Sequence, residues 1–178
     1  YSYKSGFYDG EFELEIDTFY GAKIYYTLDG TNPTTDSNQY EEPIKIHDAS
    51  NDDNIYSAMT GLSGTYGDYI PEYLVDKATI VKAIAVIGPF QSEISTASYF
   101  VGFQDKDGYD NVRIISMVVN PNDLFSDDGI YVVGTLAGKA DPSVQYSPNS
   151  YPANYNIESK EMRRQAHIVL WDEERNYV

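Results

Sequence analysis

Between Glu11 and Asp17 the chain alternates strictly, Glu-Phe-Glu-Leu-Glu-Ile-Asp. A period of two belongs to an extended strand, because successive side chains leave a strand on opposite faces. Phe12, Leu14 and Ile16 then share one face, and the carboxylates of Glu11, Glu13, Glu15 and Asp17 share the other. Such a strand needs an apolar layer on one side and water on the other. Lys23–Leu28, Thr79–Val86 and Ala97–Val101 are further runs rich in aromatic or β-branched residues. Asp29-Gly30 and Gly88-Pro89 punctuate them with residues suited to tight turns. Several short strands with Gly and Pro turns predict an all-β chain built on an antiparallel β-sandwich.

From Ile46 to Lys77 the periodicity stops. His47–Asn54 and Leu62–Gly67 are turn-rich. A connection of about 30 residues is long for a compact domain, so an ordered surface excursion is expected here. A second break, the polar Gly-containing stretch Phe103–Asp110, places a domain boundary between residues 1–102 and 103–178. The first region carries 16 acids against 5 bases and the second 12 against 7, so the acidity is concentrated in the first. Within the second region, Val112–Val119 is apolar on both faces, is closed by Asn120-Pro121, and reads as a buried strand. Asp127–Val133 reads as a turn and a strand, residues 134–156 as loop, Glu158–Gln165 as a short helix or turn, and Ala166–Trp171 as a strand. So few strands do not obviously complete a sheet by themselves, and a smaller β-rich segment is the expectation.

Composition removes several functions. A chain of 178 residues can bury a core without metals or disulfides. Its formal charge of −16 repels phosphate backbones, which makes nucleic acid and anionic membranes poor partners. No apolar run approaches the roughly 18 residues of a membrane span. With no Cys there is no disulfide framework, thiolate zinc site or thiol nucleophile. The chain starts at Tyr1 without a basic-then-apolar leader, and is read as a piece of a longer protein.

The oxygen-rich clusters are candidate metal sites. Asp105, Asp107 and Asp110, with Gly108, fit either a partial Ca²⁺ loop or an acidic linker. The EF-hand pattern fails at Tyr109, Asp110 and Ser116. Asp48, Asp52 and Asp53 beside Asn51 and Asn54 read as a solvated loop. His47 and His167 lack a metal-ligand partner at i+2 or i+4, and Ser63 lacks the final Gly of a nucleophile elbow. Eighteen tyrosines are harder to set aside. Tyr56, Tyr66, Tyr69 and Tyr73 in the excursion, with Tyr146, Tyr151 and Tyr155 in the later loop, can serve as a glycan platform, a protein interface or loop anchors.

A resemblance covers nearly the whole chain. Gly21-Ala-Lys-Ile-Tyr-Tyr-Thr-Leu-Asp-Gly-Thr-Asn-Pro-Thr34, then Tyr40, Pro43-Ile44, Lys77–Ala85 and Ser98–Gly102, resembles the chitobiase/β-hexosaminidase C-terminal-type module. Ile115–Gly134 followed by Ala166–Asp172 is similar to the segment preceding the kinase-like core of the spore coat protein H (CotH) family. The resemblance implies an immunoglobulin-like sandwich followed by a segment that belongs with a downstream kinase-like domain. It implies an extracellular or cell-surface bacterial protein, and a cell-surface protein or polysaccharide as a further partner. No Gly-rich phosphate loop, His-Arg-Asp-like or Asp-Phe-Gly-like triplet is present, so no catalytic residue carries over. The expected role is therefore a non-catalytic accessory module without a required cofactor. A carbohydrate-binding module using exposed Tyr is the alternative, and an enzyme hidden in the chain a third.

Overall fold

The computed structural model describes residues 1–64, 66–135 and 153–178, Asp105 by its backbone alone. The chain forms two compact units, each assembled from separated stretches. The first comprises Tyr1–Asn51, Asp76–Val118 and His167–Val178, and the second Asp52–Val75 and Val119–Ala166.

The strands are β1 (Gly6–Tyr8), β2 (Phe12–Leu14), β3 (Lys23–Thr27), β4 (Asn38–Gln39) and β5 (Ile44–Ile46). They continue with β6 (Thr79–Ile87), β7 (Phe90–Gln91), β8 (Ser95–Val101), β9 (Ile114–Val119) and β10 (Ala166–Trp171). One sheet runs β1-β8-β6-β3-β4, with β7 also on β6. Its pairings are antiparallel except β1 with β8, which is parallel and departs from the wholly antiparallel expectation. Opposite it, β2 and β5 pair antiparallel, Phe12 against Ile46 and Leu14 against Ile44. Alternation then does what the sequence requires. Leu14, Ile44 and Ile46 meet Val81, Ala97, Tyr99 and Val101 in one buried cluster, each large side chain contributing about 1.5–3 kcal/mol. On the wet face, Lys45 Nζ reaches Glu11 at 2.9 Å. The strand expected over 11–17 stops at Leu14, because the backbone of Glu15 bonds to Ser2 instead: its carbonyl accepts from the Ser2 N–H and its N–H donates to the Ser2 hydroxyl.

The other face of the large sheet is also covered. β9 and β10 form a two-stranded sheet. Ser116 on β9 meets Ser98 on β8 through buried hydroxyls 2.8 Å apart. Trp171 stands edge-on to Phe7 and Phe100 at 5.4 and 5.5 Å, and those two rings stack at 4.7 Å. The first unit is thus three layers deep, with an aromatic seam behind the sandwich. The expectation of a strand buried on both faces is corrected here. Ser116 and Val118 point in, whereas Ile115 and Met117 are 61% and 63% exposed.

In the second unit, Asn120 caps a short helix α1 (Pro121–Phe125), accepting from the Asn122 N–H at 3.2 Å with Pro121 in the first turn. The strand expected near Ile130–Val133 does not form. Ile130 and Tyr131 donate to the α1 carbonyls of Asp123 and Leu124, and Val133 donates to Gly61. Buried Asn154 gives both amide protons to carbonyls, Asp127 and Gly129, at 2.9 Å each. Glu158–Gln165, read as helix or turn, holds one 3-10 turn at Lys160–Met162.

Candidate functional site

Two features stand out from the framework. The first lies after β8, where Gly102 turns the chain in the left-handed region (φ 74°) and Lys106 comes to rest against Asp48 at 3.0 Å and Asp76 at 3.2 Å. Lys106 also donates to the Ser50 hydroxyl, and its ammonium lies 4.9 Å above the Phe103 ring. Burial lowers the Lys106 pKa, but the two carboxylates outweigh it and hold the ammonium above the ordinary lysine value. Burial likewise pushes Asp48 up, and is overcome by the Ser50 hydroxyl and N–H and by Lys106, so Asp48 sits below the usual carboxylate range. Burial and then Asp76, through its charge and a hydrogen bond, raise the Tyr109 phenol. Every strong partner here is satisfied by another. Asp48 precedes the 52–75 excursion and Asp76 follows it, so one ammonium holds its two ends together.

The second feature is the excursion itself. Asn54 bridges back along it, donating to the Tyr73 carbonyl at 2.8 Å and accepting from the Val75 N–H at 3.2 Å. Asp68 accepts from the N–H groups of Gly61, Leu62 and Ser63 at 2.7–3.0 Å. Those backbone donors, Gly61 and Ser63 foremost, hold the Asp68 carboxyl below its ordinary value. With its backbone fixed by these two side chains, the stretch presents its rings outward. Tyr66, Tyr69 and Tyr73 are 83%, 75% and 65% exposed. Tyr56 differs. It stacks on Phe125 at 5.6 Å, and Tyr131 closes on Phe125 edge-on at 5.9 Å.

The remaining sequence candidates are dispersed. Asp107 and Asp110 are exposed in the turns after β8, and the Asp105 side chain lies outside the described residues, as do Tyr146 and Tyr151. Among the described residues no group of three His, Asp or Glu side chains is placed to hold a metal ion. Tyr155 is exposed beside the buried Asn154. His47 and His167 are exposed. Ser63 uses its hydroxyl to accept from the Tyr66 N–H at 2.9 Å, a loop contact. Among the described residues no helix is long and apolar enough to cross a membrane. Lys106, Asp76 and Asp68 were not foreseen as organising residues. For Asp68 the signal was the Gly-Leu-Ser-Gly turn seven residues before it, whose N–H groups need an acceptor.

Residues 14–99, the stretch from the middle of the alternating strand to β8, match the family model described as Fn3 associated. The stretch is therefore similar to an Fn3-associated, Ig/fibronectin-like module. No curated protein and no solved structure matches the chain. The matched residues run from the end of β2 into β8 and include the excursion, which lies in sequence between β5 and β6.

Proposed function

We propose that the chain is a non-catalytic accessory and interaction module of a secreted or cell-surface bacterial protein of the CotH-like kind, positioning a downstream kinase-like domain of the same polypeptide. The observation that carries this reading is the outer face of the β9–β10 sheet. Its inner side chains are buried, but Ile115, Met117 and Ile168 remain in water. Each large apolar side chain so placed forfeits about 1.5–3 kcal/mol that a covering domain recovers. The same strands lie in the stretches that resemble the segment before a CotH kinase-like core. The non-catalytic reading is supported by the pairing of Lys106 with Asp48 and Asp76, which ties these charged groups to one another.

The coding sequence after Val178 tests the reading directly, because a kinase-like core either follows or does not. In the parent protein, Ile115→Asp with Met117→Asp should increase proteolysis between the sandwich and the downstream domain while leaving the sandwich intact. An unchanged cleavage pattern would defeat it. The isolated chain should neither hydrolyse chitooligosaccharides nor transfer phosphate from ATP; turnover surviving repurification would reopen the enzyme reading. The alternative, a carbohydrate-binding module, rests on the exposed Tyr66, Tyr69 and Tyr73, and retardation on polysaccharide affinity gels is its test.

A further inference from the structure

We infer that residues 66–74 are the docking surface for a Lys- or Arg-bearing polypeptide, an inference that rests on the interaction-module reading above. In this stretch of nine residues, Tyr66, Tyr69, Ile70, Tyr73 and Leu74 are all exposed large apolar side chains. Such a density in one short segment is unlike the single exposed apolar residues that any protein carries. The backbone is not free to fold the rings away, because Asp68 and Asn54 hold it at 61–63 and 73–75.

Charge decides the occupant. The excursion from 52 to 75 contains four acids, Asp52, Asp53, Asp68 and Glu72, and neither Lys nor Arg. The face of a Tyr ring carries negative potential, so ring and carboxylate attract the same group, an ammonium or guanidinium. Ile70 and Leu74 add aliphatic area that a peptide's side chains can cover and that a sugar's hydroxyls cannot use. An anionic glycan is repelled by the same acids. The chain's net charge of −16 extends the attraction beyond contact and speeds encounter with a cationic partner.

Fluorescence anisotropy with labelled nona-arginine, nona-lysine and nona-glutamate peptides tests the assignment on the whole chain. Nona-arginine should bind most tightly and nona-glutamate not at all. The triple variant Tyr66→Ala, Tyr69→Ala and Tyr73→Ala keeps every charge and should lose roughly tenfold in affinity, whereas the triple Phe variant should retain it. A second variant, Asp52→Asn with Asp53→Asn and Glu72→Gln, should weaken binding and flatten its salt dependence. Thermal melts establish that each variant is folded. Equal nona-arginine affinity for the Ala variant would reduce the attraction to net charge and overturn the proposal. Binding to neutral polysaccharide gels without binding to nona-arginine would overturn it while leaving an interaction module standing. Binding to neither would remove both.

Discussion

In the first unit Trp171, Tyr99 and Leu14 are almost wholly buried among apolar neighbours, whereas in the second the deepest side chains include small Ala153 and polar Asn154. The difference is one of physical means. Tyr99 sits between two sheets that hide apolar area from water, a non-directional gain that rises with every side chain added. Asn154 sits among carbonyls it must satisfy, and Gly134 beside it has φ +60° with room for no side chain: an added Cβ would collide with the Asn154 amide nitrogen. A unit of the first kind tolerates change at its surface and suffers in proportion to lost volume. One of the second kind fails at single atoms.

The largest effect expected from this contrast is on fragments. Residues 103–178 expressed alone lose the Phe7–Phe100 surface against which Trp171 packs, and should show no cooperative melting transition. Residues 1–102 keep the Leu14–Tyr99 core and should melt cooperatively, at lower temperature than the whole chain. A sharp transition with dispersed amide NMR signals for 103–178 would show that burial against the sandwich is not what holds β9 and β10. Next in size is Trp171→Ala, expected to cost about 3–5 kcal/mol in urea unfolding, since it empties the aromatic seam. A loss below about 1 kcal/mol would move the first unit towards the second in kind. Asn154→Ala, which leaves two carbonyls without their donor, should cost about 1–3 kcal/mol. Amide hydrogen exchange should place that loss in 119–135 and 153–166 and leave β6 and β8 protected.

The smallest effect concerns Lys106, a polar tie within the apolar unit. Lys106→Met should cost about 1–2 kcal/mol, less than a fully buried pair, because solvent screens its half-exposed partners. It should also change the pH profile. Asp48 has its pKa lowered by folding, so its contribution is whole above the ordinary carboxylate range and fades as pH falls through the lowered value. The pKa of Lys106 is raised, so its contribution is whole below the ordinary lysine value and fades as pH rises through the raised one. Stability profiles of parent and variant should therefore converge at both extremes and differ most between them. Parallel profiles would mean that the tie is packing alone.

Much of the sandwich was legible because its signals are local. β3, β6 and β8 begin or end within about two residues of the runs of aromatic and β-branched residues that predict them, and Gly88-Pro89 does join β6 to β7. What escaped is long-range. β1 is three residues long and pairs with β8, so nothing near Gly6–Tyr8 announces it. The Lys106 tie joins residues 58 apart in sequence, beyond any periodicity. The stack of Tyr56 on Phe125 is equally invisible to a local reading. Asn120-Pro121 was legible in one of its two roles. It closes β9, as expected, but also caps α1, and the carbonyls of α1 then take the N–H groups that a strand at Ile130 and Tyr131 would have used. Outward Ile115 and Met117 look in sequence like their buried neighbours, because side-chain type alone does not tell which of two apolar faces is covered.

The parallel pairing of β1 with β8 sets an order of events during synthesis. Tyr99 donates its phenol to the Tyr3 carbonyl, and Ser98 bonds through its N–H to Ser5, 93 residues earlier. The β1 segment thus has no place to go until nearly the last strand of the sandwich has been synthesised. In the interval β6 can gather β3, and β5 can gather β2, by closing shorter loops. The N-terminal segment, with Tyr1, Tyr3, Phe7 and Tyr8 uncovered, waits in water for most of that time, and it is in this interval that the nascent chain is most exposed to a chaperone or to another copy of itself.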